Sequence, residues 1–366
     1  MRLVILGTGK MATHHAAHFA AIDGVKLVGA VDVNYERVTA FAAEYGITHA
    51  FTSLEDALNW GQFDAVANVT PDRFHYATTM QALKAGKHVL CEKPLATHYE
   101  HAREMADATE AAGLVGMVNL TYRNTPELQR FRDMVDAGEI GAVKHVEASY
   151  LQSWLVSKAW GDWRTDPTWL WRLSTQHGSN GTLGDIGIHI LDFAWYGIGS
   201  AVEKAFCRLK AFDKDPDGRI GDYVLDANDS FTMSLEFENG ALGVVHATRW
   251  APGYHNALRL RAYGDKGGLE IHHGFEGTTL RACTGDGIDQ AQWVDVPVEP
   301  VPTNYHRFVE AVNTGVPQKP TFRHAANLQR VLDLGMVSDA DRREVTVSLG
   351  DEGKDIDQAL APLRSV

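Results

Sequence analysis

Leu3-Val4-Ile5-Leu6-Gly7-Thr8-Gly9-Lys10-Met11-Ala12 opens the chain with a short apolar run that gives way to a G-x-G-x-x-A. Glycines cluster in ordinary turns, so the surroundings decide the reading. A β-branched strand precedes the motif and a helix-compatible stretch, Thr13 to Ile22, follows it. A second strand, Val25 to Val31, ends in Asp32, 23 residues beyond Gly9. That order predicts a dinucleotide-binding βαβ unit. Gly7 permits the tight turn, Gly9 lets the backbone approach a pyrophosphate, and Ala12 lets the helix pack close to the strand. The free amides and dipole of the helix start suit the phosphate charge. A carboxylate at Asp32 accepts from the ribose 2′- and 3′-hydroxyls of NAD and repels the 2′-phosphate of NADP. The nearest following cation is Arg37.

Working outward, the first 120 or so residues alternate strand and helix. Strands are predicted at 2–6, 25–31, 65–69, 88–91 and 114–118, with helices at 35–45, 53–59, 73–85 and 97–112. The strands are short, apolar and mostly unalternating, as parallel strands covered on both faces are. A Rossmann-type, doubly wound α/β sheet follows. Beyond Arg123 the pattern changes. After a helix near 126–137, alternating strands run over Val143 to Tyr150, Ser230 to Glu238, Gly240 to Ala247 and Leu258 to Tyr263. Asn239-Gly240 between two such runs signals a hairpin. The tail reads as helices at 304–314 and 324–338 and a strand near Val345 to Leu349. We therefore expect two domains: 1–123, a dinucleotide-binding Rossmann domain, and 124–366, an α+β domain on a large, mostly antiparallel sheet that binds substrate and mediates oligomerisation.

The bulk composition bounds the partners. The 366 residues are 45% hydrophobic and 22% charged, with a net charge of −13 that disfavours nucleic acid. Three widely spaced cysteines, Cys91, Cys207 and Cys283, argue against a disulfide framework or structural zinc and for a reducing compartment. No apolar run reaches the length of a membrane span, and no signal peptide is evident. The expectation is a cytoplasmic protein.

Two further segments carry chemistry. Thr70-Pro71 with His75 follows the third strand, and Glu92-Lys93-Pro94 follows the fourth. Ligands of doubly wound sheets bind outside the carboxyl ends of strands, so Lys93 is expected to face a cofactor crevice. In Gly184-Asp185-Ile186-Gly187-Ile188-His189-Ile190-Leu191-Asp192, a helix would place Asp185, His189 and Asp192 on one face. A histidine beside a carboxylate serves as a proton acceptor, although such pairs also occur as satisfied core or surface pairs. A metal centre using His177 as well would need a denser ligand set, and none is expected.

Taken together, these segments resemble the glucose–fructose oxidoreductase / inositol dehydrogenase / MocA family of NAD(P)-dependent oxidoreductases over nearly the whole chain. The resemblance rests on the G-x-G-x-x-A, the Thr-Pro with its later His, the Ala85-Gly86-Lys87-His88-Val89-Leu90-Cys91-Glu92-Lys93-Pro94 run, Asn119 with Arg123, and Asp185-x-Gly187-x-His189. It implies a Rossmann domain and a large-sheet domain, with Lys93 binding the reacting hydroxyl, Asp185 holding substrate or orienting the base, and His189 taking the proton. It also implies cofactor contacts at Gly7, Gly9, Lys10, Met11, Asp32, Thr70, Pro71, His75, Glu92 and Asn119, with NAD favoured over NADP. Homodimers or homotetramers built on the open sheet face are implied as well. Where relatives carry consecutive glycines before the Asp, this chain has Gly178-Ser179-Asn180-Gly181-Thr182.

Five of the nine tryptophans fall between Trp154 and Trp171, with Arg164 and Arg172 nearby. They suit a sugar or polyol pocket, and they equally suit a core or a subunit interface. Arg123, Trp163 and Arg172 join Lys93, Asp185 and His189 as expected substrate contacts. The favoured activity is NAD-dependent oxidation of a sugar, inositol or polyol hydroxyl, or reduction of the ketone. The alternatives are an NAD(P)H-binding sensor without chemistry and a dehydrogenase of a non-sugar small molecule.

Overall fold

Strand β1 (Arg2–Leu6) is short and apolar, and Leu3, Val4 and Ile5 are wholly buried, as the strand's run of side chains demands when helices cover both faces. In a computed structural model describing residues 1–347, β1 lies at the centre of a six-stranded parallel sheet. Helix α1 (Lys10–Ala20), β2 (Lys26–Val31), α2 (Tyr35–Glu44), β3 (His49–Phe51), α3 (Leu54–Trp60), β4 (Ala65–Asn68), α4 (Asp72–Lys84), β5 (His88–Cys91), α5 (Tyr99–Ala111) and β6 (Gly116–Val118) follow in alternation. The strand order β3-β2-β1-β4-β5-β6 is that of a Rossmann sheet, with its switch point between β1 and β4. Strand β3 is absent from the sequence expectation: three residues, two of them exposed, carry too little periodicity to read.

The remaining chain supplies α6 (Pro126–Asp136), β7 (Val143–Gln152), α7 (Pro167–Leu170), a π-helical turn over Leu183–Gly187, and α8 (Ile188–Ile198). Then come β8 (Val202–Lys210), β9 (Arg219–Ile220), β10 (Tyr223–Val224), β11 (Ser230–Phe237), β12 (Leu242–Thr248), β13 (Asn256–Gly264), β14 (Gly267–Gly274), β15 (Gly277–Thr284) and β16 (Val294–Asp295). Helices α9 (Asn304–Thr314) and α10 (Phe322–Asp341) and strand β17 (Val345–Thr346) close the described chain; Leu349, the expected end of that strand, lies outside it. Nine strands form one sheet in the order β16-β15-β14-β13-β7-β12-β11-β8-β17, antiparallel except where β7 pairs with β12. The Asn-Gly hairpin forms as expected, its turn closed by Gly240 N–H to the Phe237 carbonyl at 2.7 Å. Helices α6 and α8 pack together, and α8 lies on β7, β12 and β13. Strands β8, β14 and β15 add to the expected set; their inward positions are few and partly small, such as Ala205 and Cys207 in β8 and Leu269 and Ile271 in β14.

The chain divides into two compact units, Met1–Thr121 with Pro302–Gln329, and Tyr122–Val301 with the residues from Arg330. The segment 302–329, which sequence continuity assigns to the second domain, packs with the first unit. Tyr305, Phe308, Val309 and Ala311 of α9 sit in one core with Leu3, Ile5, Phe19 and Leu90. Phe322 presses on Gly116, where a Cβ would meet its ring at 2.5 Å, and Val118 donates to the Pro320 carbonyl at 3.1 Å.

Candidate active site

In the first unit, the turn after β1 is shaped by backbone constraints. Gly7 has φ +87°, and a Cβ there would lie 2.8 Å from the Val69 carbonyl oxygen, so no other residue fits. Gly9 is the N-cap of α1 and brings no side chain to the amides of the first turn. A Cβ on Gly9 would meet nothing within 4 Å. An uncapped helix start facing open space fits a pyrophosphate. Lys10 and Met11 are exposed on that first turn.

Asp32 ends the β2 region and is 8% exposed. Its Oδ2 accepts from the Thr8 amide and hydroxyl, both at 2.9 Å, and from Arg37 Nε at 3.0 Å. Its Oδ1 accepts from the Asn34 amide at 2.9 Å and Arg37 Nη2 at 2.6 Å. Burial opposes its ionisation, but Arg37, Asn34 and Thr8 outweigh burial and hold the carboxyl at about 2.

Glu92, at the end of β5, is also buried. It accepts from His15 Nε2 at 2.8 Å and Asn119 Nδ2 at 2.7 Å, and Asn119 in turn bonds the Tyr305 hydroxyl at 3.2 Å. Burial raises its pKa and the hydrogen bonds and charges of His15, Asn119 and Lys93 lower it, to a net of about 2. The Lys93 amide donates to Glu92 Oε2 at 3.1 Å, so this anion orders the backbone that presents Lys93.

His75 has no exposed surface, and both ring nitrogens face carbonyl oxygens at 2.7 Å: Nδ1 that of Pro94, Nε2 that of Thr70. A neutral imidazole donates only once, so two carbonyl acceptors select the imidazolium. Burial disfavours that charge, yet Cys91, Asp72 and the Pro94 carbonyl raise the pKa to about 10. The ring ties the Thr70-Pro71 turn to the Lys93-Pro94 turn.

In the second unit, Asp185 sits within the π-helical turn and His189 near the start of α8. A π-helical turn stands where an α-helix through Asp185 was expected, and Gly184 within it leaves no room for a side chain: a Cβ there would lie 2.3 Å from that of Asn180. Asp185 Oδ2 accepts from Arg249 Nη2 at 2.9 Å, and Arg172 Nε lies at 3.7 Å. Arg249 has no exposed side-chain surface, and its guanidinium lies 4.9 Å from the Trp154 ring centroid. Burial lowers its pKa against the raising charges of Asp185 and Asp229.

His189 meets the Tyr122 ring edge-on at 5.0 Å. Beside it runs a closed hydrogen-bond circuit: Asn256 Nδ2 donates to the Tyr122 hydroxyl at 3.1 Å, Tyr122 pairs with the Tyr150 hydroxyl at 2.5 Å, and Tyr150 donates to Asn256 Oδ1 at 2.7 Å. Sequence reasoning misses Arg249, Tyr150 and Asn256, because each meets the site from a distant strand. Asp192, expected on the same face, pairs with Arg123; both are buried, and Arg123 Nε lies 2.8 Å from Asp192 Oδ2. Trp163 is 3% exposed, packs with Trp154, Leu170 and Leu173, and donates to the Leu155 carbonyl at 3.2 Å. Arg172 stacks on Trp171 at 4.6 Å and remains partly exposed.

Among the described residues no group of three or more His, Cys, Asp or Glu side chains is arranged to hold a metal, and no helix is long and apolar enough to cross a membrane.

The sheet order, the Gly7–Gly9 turn and Asp32 define a dinucleotide-binding oxidoreductase architecture. Residues 1–120 match the oxidoreductase family model with an NAD-binding Rossmann fold, and residues 128–270 match the GFO/IDH/MocA C-terminal domain. The protein belongs to the Gfo/Idh/MocA oxidoreductase family. It is similar to levoglucosan dehydrogenase of Pseudarthrobacter phenanthrenivorans, 29% identical over 310 residues covering 78% of this chain and 77% of the relative. D-glucoside 3-dehydrogenase of Escherichia coli is 30% identical over 66% of this chain and 68% of its own. A solved levoglucosan dehydrogenase in complex with NADH and L-sorbose superposes with TM-score 0.84 at 25% identity, covering 95% of this chain and 99% of that one.

Proposed function

We propose that this protein oxidises a secondary hydroxyl of a sugar, an inositol or a related polyol with NAD, or reduces the corresponding ketone. The single observation that supports this most is the conjunction in one chain of a Rossmann turn with Asp32 and the Glu92-Lys93 strand end with the Asp185/His189 segment, in a family whose similar members include sugar dehydrogenases.

Alcohol oxidation removes a proton from oxygen and a hydride from carbon. Bound NAD supplies the hydride acceptor. Gly7, Gly9, Lys10, Met11, Asp32, Thr70, Pro71 and Asn119 would hold the dinucleotide, with His75 and Glu92 fixing the turns around it. Lys93, as a cation, binds the reacting hydroxyl and stabilises the developing alkoxide. His189 accepts the proton. Asp185, anchored by Arg249, binds neighbouring hydroxyls as an anion, and the partly exposed Arg172 adds a donor. Trp163 and Arg123 serve this substrate region by supporting it from buried positions.

A panel of levoglucosan, glucosides, inositols and aldoses assayed for NADH formation, with NADP in parallel, tests the reading. Lys93→Met should lower kcat by about a hundred- to a thousandfold while NADH binding, read by fluorescence, is retained; unchanged turnover sinks the assignment of Lys93. Three free buried cysteines accord with a cytoplasmic setting. Alternate residues of β12, Leu242 and Val244, are exposed on the sheet, which accords with a homodimer or homotetramer formed there; light scattering reports the state.

A further inference from the structure

Residues Asp226 to Asp229, which lead into β11, take no part in the reaction derived above, yet they bond to the segments that carry Arg172, Asp185 and Arg249. Asp226 accepts from the Thr175 amide at 2.8 Å and its hydroxyl at 2.6 Å, and the Ala227 amide donates to the Leu173 carbonyl at 3.0 Å. Asn228 grips the turn before Asp185 at three points. Its carbonyl accepts from the Thr182 amide at 2.8 Å, its Oδ1 accepts from the Leu183 amide at 3.0 Å, and its Nδ2 donates to the Asn180 carbonyl at 3.1 Å. Amides in the first turn of a helix have no acceptor within it, and Asn228 supplies two of them from a distant part of the chain. Gly181 lies so close that a Cβ there would sit 2.3 Å from Asn228 Nδ2.

Asp229 acts on the other partner. Its carbonyl accepts from the Arg249 amide at 3.0 Å, and its Oδ2 accepts from Lys214 Nζ at 2.6 Å and the Phe212 amide at 2.8 Å. The side chains of Lys214, Asp229 and Arg249 have no exposed surface. Two buried cations thus meet one buried anion, and Asp185, bonded to Arg249 Nη2 at 2.9 Å, supplies a second negative charge. Burial disfavours the Arg249 cation, and the charges of Asp185 and Asp229 oppose that effect. A buried charge stripped of its partner is costly, so the guanidinium is tied to both carboxylates. We propose that Asn228 and Asp229 are positioning residues for Asp185: Asn228 sets the backbone of the turn that presents the carboxylate, and Asp229 holds the guanidinium with which the carboxylate pairs. A sugar hydroxyl then meets an acceptor already fixed in place. The inference rests on the proposed role of Asp185 in binding substrate hydroxyls.

The test pairs crystal structures of Asn228→Ala and Asp229→Asn with their steady-state kinetics. The assay uses NAD and whichever of levoglucosan, a glucoside, an inositol or an aldose the parent oxidises fastest. Each variant should move the Asp185 carboxylate off Arg249 and raise the KM for that sugar at least about tenfold, with kcat and the NAD KM within about threefold of the parent. A merely structural role would lower kcat through loss of folded enzyme and leave both KM values alone, and that outcome overturns the proposal. So does a variant whose Asp185 keeps its 2.9 Å bond to Arg249, whatever its kinetics, or one that loses the bond and keeps the parent's sugar KM. Asn228 is partly exposed and its backbone bond to Thr182 survives truncation, so Asn228→Ala decides the matter should Asp229→Asn fail to fold. A parent that oxidises none of these compounds refutes the functional reading rather than the positioning of Asp185. The crystal structures then decide the latter: an unmoved Asp185 overturns it and a displaced one upholds it.

Discussion

At the residue scale, the site is built on charges that burial alone would not tolerate. Burial opposes the charge of His75, but Cys91, Asp72 and the Pro94 carbonyl raise its pKa above the ordinary value. Its folded pKa of about 10 is above the ordinary 6.5, so its contribution to stability is complete below pH 6.5 and is lost as pH rises through 10. Thermal melts should therefore show an alkaline limb approaching pH 10. His75→Gln should abolish that limb and cost about 2–4 kcal/mol at neutral pH, since a buried pair of charge-assisted bonds is removed. Glu92 has the opposite sign. Its folded pKa of about 2 lies below the ordinary 4.5, so its stabilisation is present above 4.5 and is lost as pH falls towards 2. Glu92→Gln should flatten the acid side of the same stability profile; an unchanged acid limb would show that His15 and Asn119 do not hold a charge there. Asp32 is legible because its role follows from a local spacing. The link of Glu92 to His15 spans 77 residues and that of Asp185 to Arg249 spans 64, and no local pattern encodes either.

At the scale of elements, periodicity is informative where one partner dominates. Helices α2, α6 and α9 match their sequence expectations within a residue or two because each buries a single apolar stripe. In α9, Phe308 is fully buried against β1 and α1 side chains. Phe308→Ala should cost about 3–5 kcal/mol by chemical denaturation, the range for deleting a buried aromatic ring. A loss below about 1 kcal/mol would mean that α9 does not share that core. The π-helical turn escapes sequence reading because Gly184 and Gly187 carry no periodic signal that separates it from an α-helix; only the fold shows that a Cβ on Gly187 would press on the Phe231 ring at 3.2 Å. The tryptophan segment is legible only as a pair of alternatives. Trp154 and Trp163 resolve as members of a small core, while Trp171 carries Arg172.

At the scale of the whole molecule, the first unit takes a helix from nearly two hundred residues downstream. A fragment ending at 123 leaves the α9-facing sides of Leu3, Ile5 and Phe19 in water. Such a fragment should bind a hydrophobic dye and lack a cooperative melt, whereas 1–121 joined by a flexible linker to 302–329 should melt cooperatively and bind NADH. A cooperative, dinucleotide-binding 1–123 fragment would show α9 to be dispensable. By itself the sequence determined the Rossmann alternation, the Gly7–Asp32 spacing, the antiparallel character of the second sheet and the residue types available for proton transfer. These depend on neighbours a few positions apart, where backbone geometry and side-chain period act directly. Only the tertiary structure decided that α9 completes the first core, that Arg37 already occupies Asp32, that Asp185 answers to Arg249, and that both nitrogens of the buried His75 meet carbonyl oxygens. Each of those depends on which distant groups burial brings together, and on whether they can satisfy one another once water is gone.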